Sequence, residues 1–170
     1  MEIKKVAILG AGAVGSYVIE GISGCREIRL GVIAEGERNA RLKSAGCTIN
    51  GVNYHPEVWT YQETDNIDLL IVSLKYGALP TALDTIKQAT SQNTIVMSLM
   101  NGVDSEEIIG AKIGMSHILP ALIKVASHKE PDGYHFDRKS TIGIIFGEYK
   151  SPFQSERVKA VCDLFEKSDI

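Results

Sequence analysis

The feature that most constrains this chain is Gly10-Ala11-Gly12-Ala13-Val14-Gly15, a G-x-G-x-x-G hexapeptide placed directly after one apolar run and opening a helical pattern. Ile3 to Leu9 reads as the strand, and Val14 to about Ser23 as the helix. In that context each glycine has its own task. Gly10 permits a tight turn, Gly12 lets the backbone approach a pyrophosphate, and Gly15 lets helix and strand pack closely. The helix start then offers N–H donors and the positive end of its dipole to phosphate. Ala11, Ala13 and Val14 complete this candidate cofactor-binding loop. The competing reading is a turn that needs glycines only for its own geometry; a strand, a helix and a following acid all in register argue against it.

Beyond the loop, short β-rich runs alternate with helical segments, the mark of βαβ units. Strands are expected at Ile28–Ile33, Leu69–Leu74 and Thr94–Leu99, and helices at Glu37–Ala45 (stopped by Gly46), Leu79–Ala89 and from Asp104 onward. Asp104 with Glu107 three residues later resembles a capping box. Asn50-Gly51 within Cys47–Thr60 predicts a small β-hairpin insert. After Gly114 a long strand is expected over Ile118–Ala126. A turn at Pro131-Asp132-Gly133, two more runs at Tyr134–Phe136 and Ile142–Phe146, and a last helix opened by Ser151-Pro152 follow. The predicted class is α/β: a Rossmann-type, mostly parallel sheet with helices on both faces and antiparallel strands towards the C-terminal edge.

Length and composition bound the function. The 170 residues suffice for one domain with a real core and not for two full-sized ones, so residues 1–170 are expected to form a single domain. Eighteen basic against twenty-one acidic residues leave a charge of -3, without the basic surplus that a nucleic-acid or anionic-membrane partner would need. Cys25, Cys47 and Cys162 share no close spacing and fit reduced thiols. The apolar run after Lys4-Lys5 is broken by Gly10 and Gly12, so it reads as a strand rather than a signal peptide, and a cytoplasmic location is expected.

About twenty residues after the last glycine, where a ribose-binding acid belongs, stands Glu35. A carboxylate there accepts both ribose hydroxyls and repels a 2′-phosphate. Two unit charges 4 Å apart repel by roughly 1 kcal/mol in water and about 4 kcal/mol at an effective dielectric of 20, enough to select NAD over NADP. Arg38 and Arg41 could supply an opposing cation, though both read more simply as a solvated helix face, and Glu35 itself could be an exposed loop acid. Lys75 and Asn101 each follow the carboxyl end of an expected parallel strand, where ligands of open α/β sheets bind. Lys75 offers a mobile cation and Asn101 both a donor and an acceptor; their plain alternatives are a surface lysine and a turn-forming Asn-Gly.

The chain carries further motifs in order: Ile71-Val72-Ser73-Leu74-Lys75, Met97-Ser98-Leu99-Met100-Asn101-Gly102-Val103, Glu106-Glu107, and Thr141-Ile142-Gly143-Ile144 before Gly147-Glu148. With the glycine loop, this order and spacing resembles the N-terminal domain of the ketopantoate reductase (2-dehydropantoate 2-reductase) family over essentially the whole chain. The resemblance implies an NADP(H)- or NAD(H)-dependent oxidoreductase that reduces 2-dehydropantoate, or a related 2-oxo acid, in pantothenate and coenzyme A synthesis. It implies that Gly10 to Gly15 cradle the pyrophosphate, that Lys75 contacts the cofactor, that Asn101 lies between nicotinamide ribose and substrate, and that Ala126 touches the cofactor. One departure is Glu35, where the family usually has an arginine for the 2′-phosphate. Another is length: the proton donor is expected in a helical C-terminal domain that this chain does not contain, so no catalytic residue is assigned here and the chain alone is expected to be inactive.

The expected partners are a small 2-oxo acid and, through apolar surface which that domain would cover, a second copy in a homodimer. His55, His117, His128 and His135 are scattered without metal-site spacing, and no metal is expected. Lys124, in an apolar strand, either emerges at the ligand cleft or snorkels at an edge. Ser16 could reach phosphate, whereas Tyr17 and Trp59 read as packing residues. A rival of a different class is a non-catalytic NAD(H)-sensing module, since Rossmann domains serve both roles.

Overall fold

A computed structural model describes residues 1–149, 155–168 and 170. Along the chain run β1 (Lys5–Leu9), α1 (Ala13–Ser23), β2 (Arg29–Ile33), α2 (Gly36–Ala45), β3 (Cys47–Ile49), β4 (Val52–Tyr54), β5 (Glu57–Trp59), β6 (Leu69–Val72), α3 (Leu79–Ala89) and β7 (Ile95–Ser98). Then come α4 (Ser105–Ile113), β8 (Ala121–Lys124), β9 (Ser127–Glu130), β10 (Gly133–Phe136), β11 (Gly143–Phe146) and α5 (Glu156–Lys167). The central sheet is wholly parallel, in the order β5-β2-β1-β6-β7. The chain winds outward from β1 through β2 to β5, then returns to the other side of β1 for β6 and β7, so the strand order reverses between β1 and β6.

Alternation along each strand sends side chains to two cores. Val6, Ile8, Leu69, Ile71 and Met97 pack with Val18, Ile19 and Ile22 of α1 and with Val161, Leu164 and Phe165 of α5. Ala7, Leu9, Leu70, Val72 and Val96 pack on the opposite face with Leu79 and Ile86 of α3 and Ile109 of α4. Burial on both faces is why these strands are almost continuously apolar. The fold is the expected Rossmann-type α/β arrangement.

Outside the core of the central sheet the chain departs from expectation in three places. The hairpin at Asn50-Gly51 forms, both residues taking the positive φ (50° and 78°) of a primed turn. The rest of that insert, β5, instead joins the main sheet beside β2. Its Trp59 is buried against Gly31, where an added Cβ would stand 2.5 Å from the indole. The long strand over Ile118–Ala126 is divided: Ile118 bridges Val96 in parallel, Pro120 offers no N–H to continue the ladder, and β8 turns to pair antiparallel with β11. A separate strand, β9, then pairs with β10 and completes a second sheet, β4-β3-β10-β9, whose Phe136 meets Tyr17 of α1 edge to face at 5.3 Å between ring centroids.

The expected helix start at Ser151-Pro152 lies outside the described residues. Helix α5 is capped by Ser155, whose hydroxyl accepts the Val158 N–H at 3.3 Å. It is tied to the end of β11 through Arg157, which grips Glu148 with two bonds of 2.7 and 2.6 Å and donates a third to the Ser116 carbonyl. The Arg157 guanidinium, aided by the Ser155 hydroxyl, holds the Glu148 carboxyl down at about 2 against an ordinary 4.5. A carboxyl depressed in the folded state contributes stability that is complete above its unfolded pKa and is lost as pH falls through its folded one. Each pK unit is worth about 1.4 kcal/mol, and after a discount for the solvent that still reaches the pair the clamp contributes on the order of 2 kcal/mol. Urea melts should show Glu148→Gln less stable than the parent at pH 7, with the difference shrinking between pH 5 and pH 2. A difference that stays constant across that range would show that the clamp does not anchor α5.

Candidate functional site

The reversal of strand order opens a crevice at the carboxyl ends of β1 and β6, the place where open α/β sheets bind ligands. The glycine loop sits there. Gly10 turns the chain with φ of 111°, and a Cβ on it would lie 2.7 Å from the Ser73 carbonyl oxygen across the crevice. A Cβ on Gly15 would lie 2.0 Å from the Gly10 carbonyl oxygen. At Gly12 the result is opposite: an added Cβ meets nothing within 4 Å. Two of the glycines are therefore demanded by the protein itself, and the middle one faces open space at the start of α1.

That helix start is built for an anion. Gly12 is its N-cap, no side chain caps it, and its first turn carries no acid. Ser16 is fully buried beside it with a hydroxyl that has no hydrogen-bond partner among the described residues. An open position at Gly12, uncapped helix N–H groups and an orphaned hydroxyl fit the phosphates of a dinucleotide.

Of the other expected residues, Lys75, Asn101 and Glu35 follow the carboxyl ends of β6, β7 and β2 in the same parallel sheet. Lys75 lies three residues past β6 and Asn101 three past β7, both exposed and neither side chain paired among the described residues. Glu35 caps α2 immediately beyond β2. One of its carboxylate oxygens accepts the Tyr61 N–H at 2.7 Å, which fixes the side chain at the sheet's carboxyl end and leaves the second oxygen open. Arg38 and Arg41 are exposed on α2. Ala126 is exposed in the connection from β8 to β9, and no hydrogen bond among the described residues draws it to the others. Lys124 lies on the exposed face of β8 with Leu122.

Supporting residues surround this set. The Ser73 hydroxyl donates to the Gly10 carbonyl at 2.6 Å and so pins the loop to β6. Buried Ser98 and Ser105 share a hydrogen bond of 2.7 Å that closes the base of the Asn101 loop. Asp104 is the N-cap of α4 but does not cap it with its side chain. Its carboxylate instead accepts the Tyr76 hydroxyl at 2.6 Å, which raises the pKa of that phenol and links the loops bearing Lys75 and Asn101. Glu106 receives the Ala121 N–H at 2.9 Å and the Tyr149 hydroxyl at 2.5 Å, the second bond pushing the Tyr149 phenol up to about 12. Ser73, Ser98 and Glu106 all lie in motifs visible in the sequence. Their roles are not, because each depends on a partner in another segment.

Fold and loop together define a Rossmann-type dinucleotide-binding domain. A sequence profile described as ketopantoate reductase PanE/ApbA matches residues 6–151. The chain belongs to that family. It is 24% identical over 165 residues to an uncharacterized oxidoreductase, YkpB, of Bacillus subtilis, covering 95% of this chain and 54% of the relative. It is also 32% identical over 112 residues to a 2-dehydropantoate 2-reductase of Archaeoglobus fulgidus, covering 64% of this chain and 36% of that protein. Among solved structures it is similar to 2-dehydropantoate 2-reductase of Geobacter metallireducens, with a TM-score of 0.78, 22% identity, and 98% of this chain against 56% of that one covered. It is likewise similar to D-mandelate dehydrogenase in a ternary structure with NADH and anilino(oxo)acetate, with a TM-score of 0.75, 23% identity, and coverage of 97% and 55%. The chain thus spans about half the length of the first of these relatives and of the solved structures.

The two kinds of glycine should separate in a thermal melt. Gly15→Ala forces a methyl against a backbone carbonyl and should cost about 1–3 kcal/mol, whereas Gly12→Ala, at φ of -92°, should leave stability within about 0.5 kcal/mol of the parent. Equal losses at both positions would contradict the open space at Gly12.

Proposed function

We propose that this chain is the cofactor-binding half of an NAD(P)H-dependent oxidoreductase that reduces 2-dehydropantoate, or a related 2-oxo acid, to the 2-hydroxy acid, a step of pantothenate and coenzyme A synthesis. The observation that carries the reading is the contrast among the three glycines: Gly10 and Gly15 are closed by the fold, and Gly12 is open at an uncapped helix start. Family membership and the substrates named for its relatives support the substrate class. A bound reduced nicotinamide would supply the hydride. The chain's own residues bind and orient. The α1 start holds pyrophosphate, Lys75 reaches phosphate or ribose oxygens, and Asn101 holds a ribose hydroxyl while directing the substrate carbonyl. The family resemblance puts the proton donor in the part of these relatives that the chain does not match, and the part played by this chain is binding and orienting the cofactor.

Glu35 decides between the two cofactors. Its carboxylate is held by the Tyr61 N–H at the end of β2 and cannot swing away freely from an incoming 2′-phosphate. The proposal therefore favours NADH. Calorimetric titration at low salt should show NADH binding more tightly than NADPH. Glu35→Arg should move the preference towards NADPH by about tenfold or more. Gly12→Val should abolish binding of both while the protein stays folded. If Gly12→Val binds as the parent does, the pyrophosphate is not on this loop; if Glu35→Arg changes nothing, Glu35 does not face the ribose.

A further inference from the structure

The hairpin of β9 and β10 lies outside the cofactor crevice, and its sequence contains more metal-ligating chemistry than any other segment of the chain. The register pairs His128 with His135 and Glu130 with Gly133. Because facing residues share a side of the ribbon and alternate residues return to it, His128, Glu130 and His135 all project from one face. Asp132, in the two-residue turn, reaches the same face: its carboxylate accepts from His135 Nε2 at 3.0 Å. His128 Nε2 lies 3.1 Å from a Glu130 oxygen, and the two imidazole rings stack at 5.9 Å between centroids with 25° between their planes. One ligand atom each from Glu130, Asp132 and His135 lie within 4.8 Å of one another. Four residues within eight positions of one segment thus share a face of the hairpin, and the ligand atoms of three of them converge.

We propose that this patch is a surface site for a borderline divalent transition metal, Zn²⁺ as the type case, with Glu130, Asp132 and His135 as ligands, water in the remaining position, and His128 as the residue that holds Glu130. Tetrahedral Zn²⁺ with bonds of about 2.0–2.1 Å sets its donor atoms about 3.3 Å apart, close to the separation of the His135–Asp132 pair. An imidazole nitrogen with two carboxylates suits Zn²⁺, Ni²⁺ or Cu²⁺. Mg²⁺ and Ca²⁺ want six or more oxygens, which the patch cannot supply from side chains. The two carboxylates also balance the charge of the ion, with both imidazoles neutral. Bound metal would staple β9 to β10 across the turn. Without it, the same groups form two histidine–carboxylate hydrogen bonds near the surface, of small energetic worth.

Zn²⁺ titrated calorimetrically into the untagged chain should bind with one equivalent at this site. Losing a partner of a metal ligand commonly costs 10–100-fold, so losing a ligand outright should cost more than about 100-fold. His135→Ala and the near-isosteric Asp132→Asn should both show that loss, with circular dichroism and melting temperature unchanged in the absence of metal. His128→Ala should weaken binding by at least about tenfold. His55→Ala, at an exposed histidine elsewhere, should change nothing. Co²⁺ should give visible d–d absorption without a thiolate charge-transfer band, which separates the patch from Cys25, Cys47 and Cys162. The proposal is overturned if the parent does not bind Zn²⁺, if His135→Ala and Asp132→Asn bind as the parent does, or if the Co²⁺ spectrum shows thiolate. Because NADH is not involved in any of these readings, the result stands apart from the cofactor assignment.

Discussion

One carbonyl oxygen organises this molecule. The Gly10 carbonyl receives the Ser73 hydroxyl from β6 and lies so near Gly15 that a Cβ there would stand 2.0 Å away, while Gly10 itself is pressed against the Ser73 carbonyl. Three backbone segments, from the end of β1, the end of β6 and the first turn of α1, meet with only the small Ser73 hydroxyl between them. That closeness sets α1 against the sheet and aims its N-terminal N–H groups into the crevice. It also holds the β6 loop, and Lys75 with it, beside the glycine turn. A bulkier loop would separate these parts, and the helix start would no longer face the place where strand order reverses.

The central sheet was legible in the sequence because its physics is local. An apolar run followed by glycines, a helical period and another apolar run define βαβ units, and burial on both faces makes the runs almost uninterrupted. The Asn50-Gly51 turn was legible for the same reason, since two successive residues at positive φ demand small or amide side chains. What failed was the division of the region after Gly114. Ile118 to Ala126 is one apolar stretch by composition, yet Pro120 ends the parallel ladder, and the next strand finds its partner in β11 more than twenty positions later. Propensity carries no information about such a partner.

The candidate site divides along the same line. Gly10, Gly12, Gly15, Lys75 and Asn101 could be picked out because each sits at a strand end in a recognisable motif. Their braces could not. Asp104 has the sequence of a helix cap, and its carboxylate makes its charge-assisted bond instead to the Tyr76 hydroxyl of another loop. His128 and His135 show no metal spacing along the chain and become direct neighbours only through strand register. A two-residue turn makes sequence separation a poor guide to distance, and the carboxylates beside each histidine enter the same face by alternation.

The distribution of satisfied and unsatisfied groups also separates support from function. Ser73, Ser98, Ser105, Asp104 and Glu106 have all found partners within the protein, which is what buried or half-buried polar groups in a rigid frame require. Among the described residues, Gly12 faces space, Ser16 keeps a buried hydroxyl without a partner, and the side chains of Lys75 and Asn101 are unpaired. A buried hydroxyl left unsatisfied costs about 1–3 kcal/mol, so a fold that needed Ser16 only for packing would do better with alanine. The hydroxyl of Ser127 in β9 is likewise buried without a partner among the described residues, so an orphaned hydroxyl is not by itself a mark of function. What sets the crevice apart is that Ser16 coincides there with an open Gly12 and an uncapped helix start, in front of braces that have met their own hydrogen-bonding needs.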